Sequence, residues 1–332
     1  MLLKYALPLS IGLLIGSFGK LSSLENSTPS HFHVDLDLLV WNATEGGADN
    51  WAQNISTPLP GVGHVVIYDA SFEMALGYRI QAGYDFSWLD FVLGYTFYQT
   101  QAKRSLPYNQ ILYSAFMGNY YYDNITSVGV DEPFYHQAKM VWHIGLNSLD
   151  LEIGKSFFPL DTLSFRPYFG LKGAIIDQKI KTYWLDTIAD EFPFDDAKEF
   201  ITQDWRGIGP LFGVDSNWQF AKLNRHHFSI FGDFALSFPI GRWKFSDHFV
   251  NNLDQEVIIQ LPNLYGGLTM AKVFAGLAWE YQWSSLKQKV ALKVGYEGQI
   301  WLNLYRVYTF NQGRLSSPLT FQGATIDLMI DF

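Results

Sequence analysis

The sequence predicts an all-β protein: a transmembrane, antiparallel, up-and-down β-barrel of about ten strands with both termini in the periplasm. Aromatic residues and charged residues each make up 17% of the 332 residues, yet the mean hydropathy is only +0.01. Ten segments alternate apolar and polar residues with the period of two that is typical of strands with one apolar face. Short and long connections follow one another along the chain, as they do in outer-membrane barrels.

The first three segments have the clearest alternation. Residues 32–40 place five apolar side chains on one face and His33, Asp35 and Asp37 on the other. Residues 72–82 ("FEMALGYRIQA") and 89–98 ("LDFVLGYTFY") repeat the pattern. Successive side chains of a strand point to opposite faces, so each segment is predicted to have one lipid face and one lumen face.

The fourth segment, residues 139–158, changes phase once. Its apolar residues occupy even positions from Met140 to Leu146 and odd positions from Leu149 to Ile153. One extra residue near Asn147 would produce this change as a β-bulge. A tight turn between two short strands is the alternative. We favour the bulge, because an even strand number brings both termini to one side.

The other six segments continue the same alternation to the end of the chain. In "LSFRPYFGLKGAIIDQKI", for example, Phe165 and Phe169 face one way and Arg166 and Lys172 the other. The ten predicted strands cover residues 32–40, 72–82, 89–98, 139–158, 163–180, 205–220, 228–240, 270–283, 290–302 and 319–332.

The connections predict which side of the membrane each strand end occupies. Short links cover residues 84–87, 159–162, 221–225 and 284–287, and they are expected to be periplasmic turns. Long connections cover residues 100–137, 181–204, 241–268 and 303–318, and they are expected to be extracellular loops. Closing the sheet into a barrel gives every backbone polar group a partner, which crossing a bilayer with strands requires.

The first 19 residues are predicted to be a signal peptide, and residues 20–332 a single barrel domain. Lys4 supplies the charged start, residues 5–18 the short apolar core, and Ser17-Phe18-Gly19 the cleavage region. Removing them leaves 22 basic and 32 acidic side chains, so the net charge goes from −9 to −10. Nucleic-acid binding is not expected of so acidic a chain. With no cysteine, disulfides and thiolate metal sites are excluded.

The last predicted strand, "ATIDLMIDF", alternates up to Phe332. A terminal strand ending in Phe is similar to the signal that bacterial barrel-assembly machinery recognises, so this machinery is a predicted partner. The strand must also pair with the first one to close the barrel. Near other strand ends, six tryptophans are expected to form aromatic girdles at the membrane interfaces: Trp205, Trp218, Trp243, Trp279, Trp283 and Trp301.

The polar faces of the strands supply the candidate site. Lumen charges tune the selectivity of a water-filled channel, whereas opposite charges that pair across a narrow interior would plug it. Both interpretations stay open. The lumen-facing candidates are Glu73, Arg79, Asp90, Lys139, His143, Glu152, Arg166, Lys172, Asp233, Lys272, Glu280, Lys293 and Glu297.

No catalytic, cofactor-binding or metal site is predicted. His31 and His33 share one strand face, but the sequence offers no third ligand beside them, and His226-His227 is a weaker pair still. The chain lacks a G-x-S-x-G motif. A barrel enzyme with an Asp/His or Ser/His/Asp set at the loop end is therefore the weakest alternative.

Several stretches resemble a pore-forming family of bacterial outer-membrane proteins. This family includes the Legionella-type pore-forming proteins and the major-outer-membrane-protein-like barrels of environmental chlamydiae. The matching stretches, which lie roughly within residues 72–218, are "FEMALGYRI", "WLDFVLGYTFY", "LNSLDLEIGKSFF", "LSFRPYFGLKGAIIDQKI" and "GIGPLFGVDSNW". The most specific parts are residues 166–170 ("RPYFG") and 177–178 ("DQ"). The resemblance implies a surface-exposed β-barrel with porin activity.

We therefore expect a diffusion channel for small polar solutes across a bacterial outer membrane, surrounded by outer-membrane lipid and without a cofactor. The alternative is a structural or adhesive barrel with a closed lumen that acts through its long extracellular loops. One long loop, residues 101–136, is a candidate for folding inward as a constriction. A homo-oligomer is compatible with either function.

Overall fold

The computed structural model describes residues 31–46, 50–59, 62–86, 88–108, 110–114, 116, 121–123, 127–129, 134–188, 194–283, 288–309 and 313–332. The predicted signal peptide lies outside these residues. Among the residues described, no helix is long and apolar enough to cross a membrane.

Nineteen strands run through the described residues. In chain order they are β1 (His31–Glu45), β2 (Asn50–Leu59), β3 (Val62–Asp69), β4 (Ala75–Asp85), β5 (Asp90–Leu106), β6 (Leu112–Ser114), β7 (Tyr121–Asp123), β8 (Ser127–Gly129), β9 (Tyr135–Gly154), β10 (Phe157–Leu160), β11 (Leu163–Thr187), β12 (Ala197–Leu223), β13 (His226–Ser237), β14 (Ile240–Asn251), β15 (Glu256–Gln260), β16 (Leu264–Gly267), β17 (Thr269–Gln282), β18 (Lys289–Thr309) and β19 (Gly313–Asp331).

Ten of these strands close into an antiparallel barrel, as the sequence predicts. Going round the barrel, the strands are β1, β4, β5, β9, β11, β12, β13, β17, β18 and β19. The first and last strands form the seam, with partners from His33↔Asp331 to Glu45↔Leu319. At its end the Phe332 N–H donates to the Phe32 carbonyl over 2.9 Å, and the two rings lie 6.3 Å apart.

The hairpins on the loop side are longer than predicted. The expected loop of residues 181–204 is mostly strand, since β11 runs to Thr187 and β12 starts at Ala197. The expected loop of residues 241–268 contains β14, β15 and β16. β14 continues the direction of β13 along β12 after a break at Phe238-Pro239. Proline cannot donate to the ladder, which accounts for the break.

The fourth predicted segment is a single strand as far as Gly154, and its last residues, Phe157 and Phe158, belong to β10. β9 keeps its register from Gln137 to Gly154 against β11, with no shift near Asn147, so the predicted bulge is wrong. Met140 and Leu146 point into the barrel and Leu149 and Leu151 point out of it. The apolar residues change face because the lumen is apolar at one end of the strand and polar at the other. The preferred strand number of ten is nevertheless confirmed.

The outward faces form an apolar belt. On β11 the belt runs from Phe165 to Ile175, eleven residues, the length at which a tilted strand crosses a bilayer. At the periplasmic rim, Trp218 and Trp283 are 53% and 41% exposed, which fits the predicted girdle. Trp279 lies with them and donates its indole N–H to His226 over 3.1 Å.

Three of the six predicted girdle tryptophans are placed wrongly by the sequence prediction. Trp205, Trp243 and Trp301 are at most 3% exposed and point into the lumen. Tryptophan in a strand near its end was expected to lie at the lipid interface. Each of these three instead occupies an inward-facing position of a strand that continues beyond the apolar belt.

The belt predicts opposite effects for two adjacent residues of β4. Ile80 faces outward at mid-belt, 46% exposed, while Gln81 faces the lumen opposite Asp35. Ile80→Arg should lower the free energy of unfolding in lipid bilayers by about 2–4 kcal/mol, because it places a charge in hydrocarbon. Gln81→Arg should change it by less than about 1 kcal/mol, since the lumen side offers a carboxylate. Urea unfolding in vesicles measures both, and equal losses would contradict the assignment of the faces.

Candidate functional site

The lumen is divided into two layers along the barrel axis. Its periplasmic half holds a cavity of about 360 Å³ lined mainly by charged and polar side chains, called the vestibule below. Its extracellular half is filled by almost fully buried aromatic and aliphatic side chains. The layers meet where the Arg79 guanidinium carbon lies 5.9 Å from the centre of the Trp41 indole.

Acidic side chains outnumber basic ones in the vestibule. An excess of negative charge in a concave, partly enclosed space raises the local concentration of cations. The nine carboxylates belong to Asp35, Asp37, Asp85, Asp90, Glu152, Asp215, Asp233, Asp327 and Asp331, and the five basic groups to Arg79, Arg166, Lys272, Lys289 and Lys293.

Arg166 of β11 ties four neighbouring strands together at the wall of the vestibule. Its Nε and Nη2 donate to Asp90 of β5 over 2.8 and 2.5 Å. Its Nη1 donates to Glu152 of β9 over 3.1 Å and to Asp215 of β12 over 2.7 Å. Lysine could not replace it, because the planar guanidinium presents several donors at fixed angles.

Arg79 of β4 forms a second cluster at the boundary between the layers. Its Nη1 donates to Asp37 of β1 over 2.7 Å, and its Nη2 to Glu297 of β18 over 2.6 Å. The three side chains are only 7%, 2% and 0% exposed. Thr325 of β19 donates to Glu297 over 3.0 Å. Charges this deeply buried persist only when they are paired and hydrogen-bonded.

The inward lysines are also paired, so each inward basic group described in the lower lumen has at least one carboxylate partner. The interpretation that opposite charges plug the interior therefore has a structural basis. Each pair joins neighbouring strands: Lys172 with Asp150 at 2.7 Å, Lys272 with Asp233 at 2.5 Å, and Lys293 with Asp327 at 2.7 Å.

Large rings fill the extracellular half of the lumen and contact one another across it. Trp142 of β9 and Tyr305 of β18 belong to strands that are not neighbours, yet their rings lie 5.4 Å apart. Trp205 of β12 lies 5.8 Å from Trp301 of β18. This aromatic layer consists of eight residues, each at most 3% exposed: Trp41, Tyr98, Trp142, Trp205, Trp243, Trp301, Tyr305 and Phe321.

A bulge in β18 holds the aromatic layer in place. The register with β19 shifts between Trp301 and Tyr305, and Asn303 has a φ of +58°, a conformation that Asn adopts more readily than most residues. The Leu304 carbonyl accepts from the Trp243 indole over 2.9 Å and from the Gln203 amide over 3.2 Å. The described constriction therefore comes from β18. The predicted one, residues 101–136, lies partly outside the described residues.

Buried carboxyl groups lie level with Trp142 at the outer end of the aromatic layer, outside the lipid-facing belt. Glu45 accepts hydrogen bonds from Gln178 and Ser317, each over 2.9 Å. Asp247 is 2% exposed. Its burial and the neighbouring charge of Glu199 raise the pKa of Asp247 well above the usual 3.8.

The sequence of the whole barrel decides its family. A family profile described as the Legionella pneumophila major outer membrane protein precursor matches residues 26–332. The chain belongs to this family. The resemblance predicted from residues 72–218 is thus confirmed, and the protein is located in the bacterial outer membrane. No curated protein matches it.

Solved outer-membrane proteins are similar to this member of the Legionella family only distantly. The outer membrane protease OmpT from Escherichia coli is 10% identical, with 92% of this chain and 97% of that chain covered and a TM-score of 0.36. A Pseudomonas aeruginosa FadL homologue is 10% identical, with 91% and 90% covered and a TM-score of 0.29. The Ralstonia pickettii toluene transporter TbuX is also 10% identical, with 91% and 88% covered and a TM-score of 0.21.

Ten of the thirteen predicted lumen residues lie on inward faces in this family member. Glu280 is half-buried at the periplasmic end of β17, opposite His227. The other nine belong to the clusters described above: Arg79, Asp90, Glu152, Arg166, Lys172, Asp233, Lys272, Lys293 and Glu297.

Three predicted lumen residues lie elsewhere. Lys139 and His143 are exposed on the outer face of β9, where Met140 and Trp142 between them point inward. The assumed bulge reversed their assignment. Glu73 is exposed and precedes β4, which begins only at Ala75.

The predicted lumen residues omit four charged residues of the clusters, Asp37, Asp150, Asp215 and Asp327, and the sequence prediction missed most of the aromatic layer. Asp150 and Asp327 were not among the candidates, although each directly opposes an inward lysine. The sequence could have identified Asp327, because it alternates with Ile326 and Leu328 and so belongs to the polar face of its strand. The phase change of β9 was the signal of an apolar upper lumen, because it moves Trp142 inward.

The histidine pairs take ordinary structural positions. His33 lies on the inward face of β1, with Nδ1 3.8 Å from the Asp85 carboxylate. His226 packs on Trp279 at the periplasmic rim, and His227 Nδ1 lies 3.0 Å from the Gln219 side-chain oxygen.

Removing Arg79 should destabilise the barrel strongly. Arg79→Met leaves Asp37 and Glu297 buried without their cation, and we expect the free energy of unfolding to fall by about 3–5 kcal/mol. Lys289→Met is the matched control. Its ammonium lies 4.0 Å from Asp331 and the side chain is 38% exposed, so the loss should stay below about 1 kcal/mol. Equal losses in urea unfolding would refute the structural role of the Arg79 cluster.

Asp247 should make stability depend on pH above its ordinary pKa. The folded chain binds the proton of the Asp247 carboxyl group more tightly than the unfolded chain does. The resulting contribution to the free energy of unfolding is present below about pH 3.8 and is lost as the pH rises towards the raised pKa. Asp247→Asn removes the effect and should raise the melting temperature at pH 7 more than at pH 4. Thermal unfolding at both pH values measures this, and a lower melting temperature at pH 7 would contradict it.

Proposed function

We propose that this barrel is closed to free diffusion and serves as a structural surface barrel of the outer membrane, acting through its extracellular part. The aromatic layer carries this proposal. Eight large side chains with at most 3% exposure occupy the lumen above the vestibule. A closed lumen was the alternative in the sequence-based expectation, and the packing favours it over a general diffusion pore.

The physical argument rests on packing and cross-links. Opening a water-filled path would separate Trp142 from Tyr305 and Trp205 from Trp301, and would expose apolar surface that is now buried. Truncating one such buried ring typically costs about 3–5 kcal/mol. The hydrogen bonds that Trp243 and Gln203 donate to Leu304 would also have to break or move.

A channel for small polar solutes is the second candidate, and the vestibule supports it. This cavity of about 360 Å³ carries more carboxylates than basic groups, which favours entry of cations from the periplasmic side. In such a channel the β18 bulge would be the gate, since it is the inward-folded backbone of the described lumen.

Partners follow from the lipid belt and from the last strand. Outer-membrane lipid would contact the apolar belt, and barrel-assembly machinery would recognise the strand that ends with Phe332. The hydrogen bond from the Phe332 N–H to the Phe32 carbonyl belongs to the pairing of this strand with the first one. We also propose that the chain has no catalytic activity. Hydrolysis assays with lipid and peptide substrates check this.

Conductance in planar bilayers tests the closed lumen. The purified protein should give no steady current steps. The double variant Trp301→Ala/Tyr305→Ala removes two rings from the aromatic layer and should produce them, because a water-filled gap replaces packed rings. Trp218→Ala/Trp283→Ala, which truncates two outward tryptophans, is the matched control and should stay silent.

Two other outcomes decide between the candidates. Steady steps from the unmodified protein would refute the closed barrel. If those steps also grow in the Trp301→Ala/Tyr305→Ala variant and favour cations, the gated channel is supported. Silence of both the unmodified protein and the double variant would leave the closed barrel standing and refute the aromatic layer as its seal.

A further inference from the structure

The outer face of the barrel carries a cluster of basic side chains above the apolar belt. It spans four neighbouring strands, β5, β9, β11 and β12. In one row across these strands Lys103 lies opposite Val141, and Val141 opposite Lys181. In the row nearer the membrane centre, His143 lies opposite Lys179. In the row farther from it, Lys139 is on β9 and Lys198 is two strands away on β12.

All of these side chains are exposed and point away from the lumen. Neighbouring strands are about 4.8 Å apart and alternate residues about 6.7 Å. The cluster therefore covers an area of roughly 14 by 13 Å, small enough for several ammonium groups to reach one ligand. Partial burial and the neighbouring charges of Lys103, Lys181 and Lys179 lower the pKa of the His143 imidazole, as expected for basic groups this close together. We call this surface the basic patch: Lys103, Lys139, His143, Lys179, Lys181 and Lys198.

The patch has no acidic counterpart of its own. Twelve outward positions make up its three rows on the four strands, and none of them holds Asp or Glu. Exposed carboxylates border the patch: Asp177 and Asp204 lie one row closer to the membrane centre. Glu73, whose N–H donates to the Gln101 carbonyl over 3.4 Å, lies at its β5 edge. Within the described residues, no patch lysine forms an ion pair, whereas each inward lysine does. This contrast is notable in a chain of net charge −9.

The height of the patch matches the head-group region of the outer leaflet. On β11 the apolar belt ends at Ile175, and Lys179 and Lys181 follow four and six residues later. At about 3.3 Å per residue and a strand tilt of about 40°, Lys179 lies about 10 Å beyond the hydrocarbon edge. Lysine stems can bend back along the surface, so the ammonium groups reach the interface.

The outer face of the β1–β19 seam differs from the patch just beyond the belt. There the outward residues of the β1–β19 seam are Asn42 and Thr44, paired with Gln322 and Thr320. The outward charges of the patch therefore distinguish its four strands from the seam.

From this charge, height and continuity with the lipid belt, we infer that the basic patch binds the phosphate groups of an anionic lipid in the outer leaflet. The ligand class is a phosphorylated lipid whose acyl chains lie along the belt below the patch, over Ile175 and Leu149. Several lysines would share the phosphates, and the aromatic ring of Phe200, 5.9 Å from the Lys181 ammonium, would help to orient one of them.

Lipid binding by the detergent-solubilised full chain tests this inference. The probe is a glucosamine-disaccharide lipid with two phosphates, titrated and counted by native mass spectrometry. The variant Lys103→Gln/Lys179→Gln/Lys181→Gln should weaken its binding at least tenfold. Lys155→Gln/Lys222→Gln/Lys289→Gln removes the same charge at the periplasmic end and should change binding less than twofold. Thermal unfolding checks that both variants are folded.

A second experiment tests whether the phosphate groups of the lipid are what the patch binds. The dephosphorylated lipid should bind the unmodified chain at least tenfold more weakly, and rising salt should reduce this difference. Inorganic phosphate alone, at the concentration of the lipid, should not compete. Equal binding of both lipids, full competition by inorganic phosphate, or unchanged binding by the patch variant would each overturn the inference.

Discussion

The structure depends on one constraint: no backbone polar group in the hydrocarbon of a bilayer can be left without a partner. A sheet meets it only by closing on itself. The seam between β1 and β19 does this with thirteen consecutive register pairs, from His33↔Asp331 to Glu45↔Leu319. Closure also fixes which residues of the remaining strands point inward and which point outward, because each residue must then face either lipid or lumen.

A ten-stranded barrel has a narrow interior, and this protein fills it in two ways. Near the periplasm, charges are gathered around Arg166, which joins four neighbouring strands, and around Arg79, which joins β4 to β1 and, across the seam, to β18. Towards the outside, indole and phenol rings pack as in a soluble core, with the bulge at Leu304 pulled inward. The lower half is held by paired charges and the upper half by apolar burial. The proposed seal of the lumen is the apolar upper half.

The exterior is organised by depth in the same way. An apolar belt such as Phe165–Ile175 is followed by exposed lysines on β5, β9, β11 and β12 and by neutral polar residues at the β1–β19 seam. The alternation that places polar residues in the lumen thus also produces an outer surface that changes from apolar to polar along the strands. Both surfaces come from one sequence pattern, and a one-residue error in phase exchanges them. His143 illustrates this, because the assumed bulge moved it from the outer surface to the lumen.

The sequence by itself determined the barrel, the ten strands, the sidedness of the connections and most inward charges, because a period of two over ten segments leaves few alternatives. It did not determine what the inward residues contact. Whether Arg79 meets Asp37 and Glu297, or Trp142 meets Tyr305, depends on strands far apart in the chain. Only closure with a particular register brings them together. The tertiary structure also decided that the upper lumen is apolar, since alternation separates two faces but does not state which face is wet.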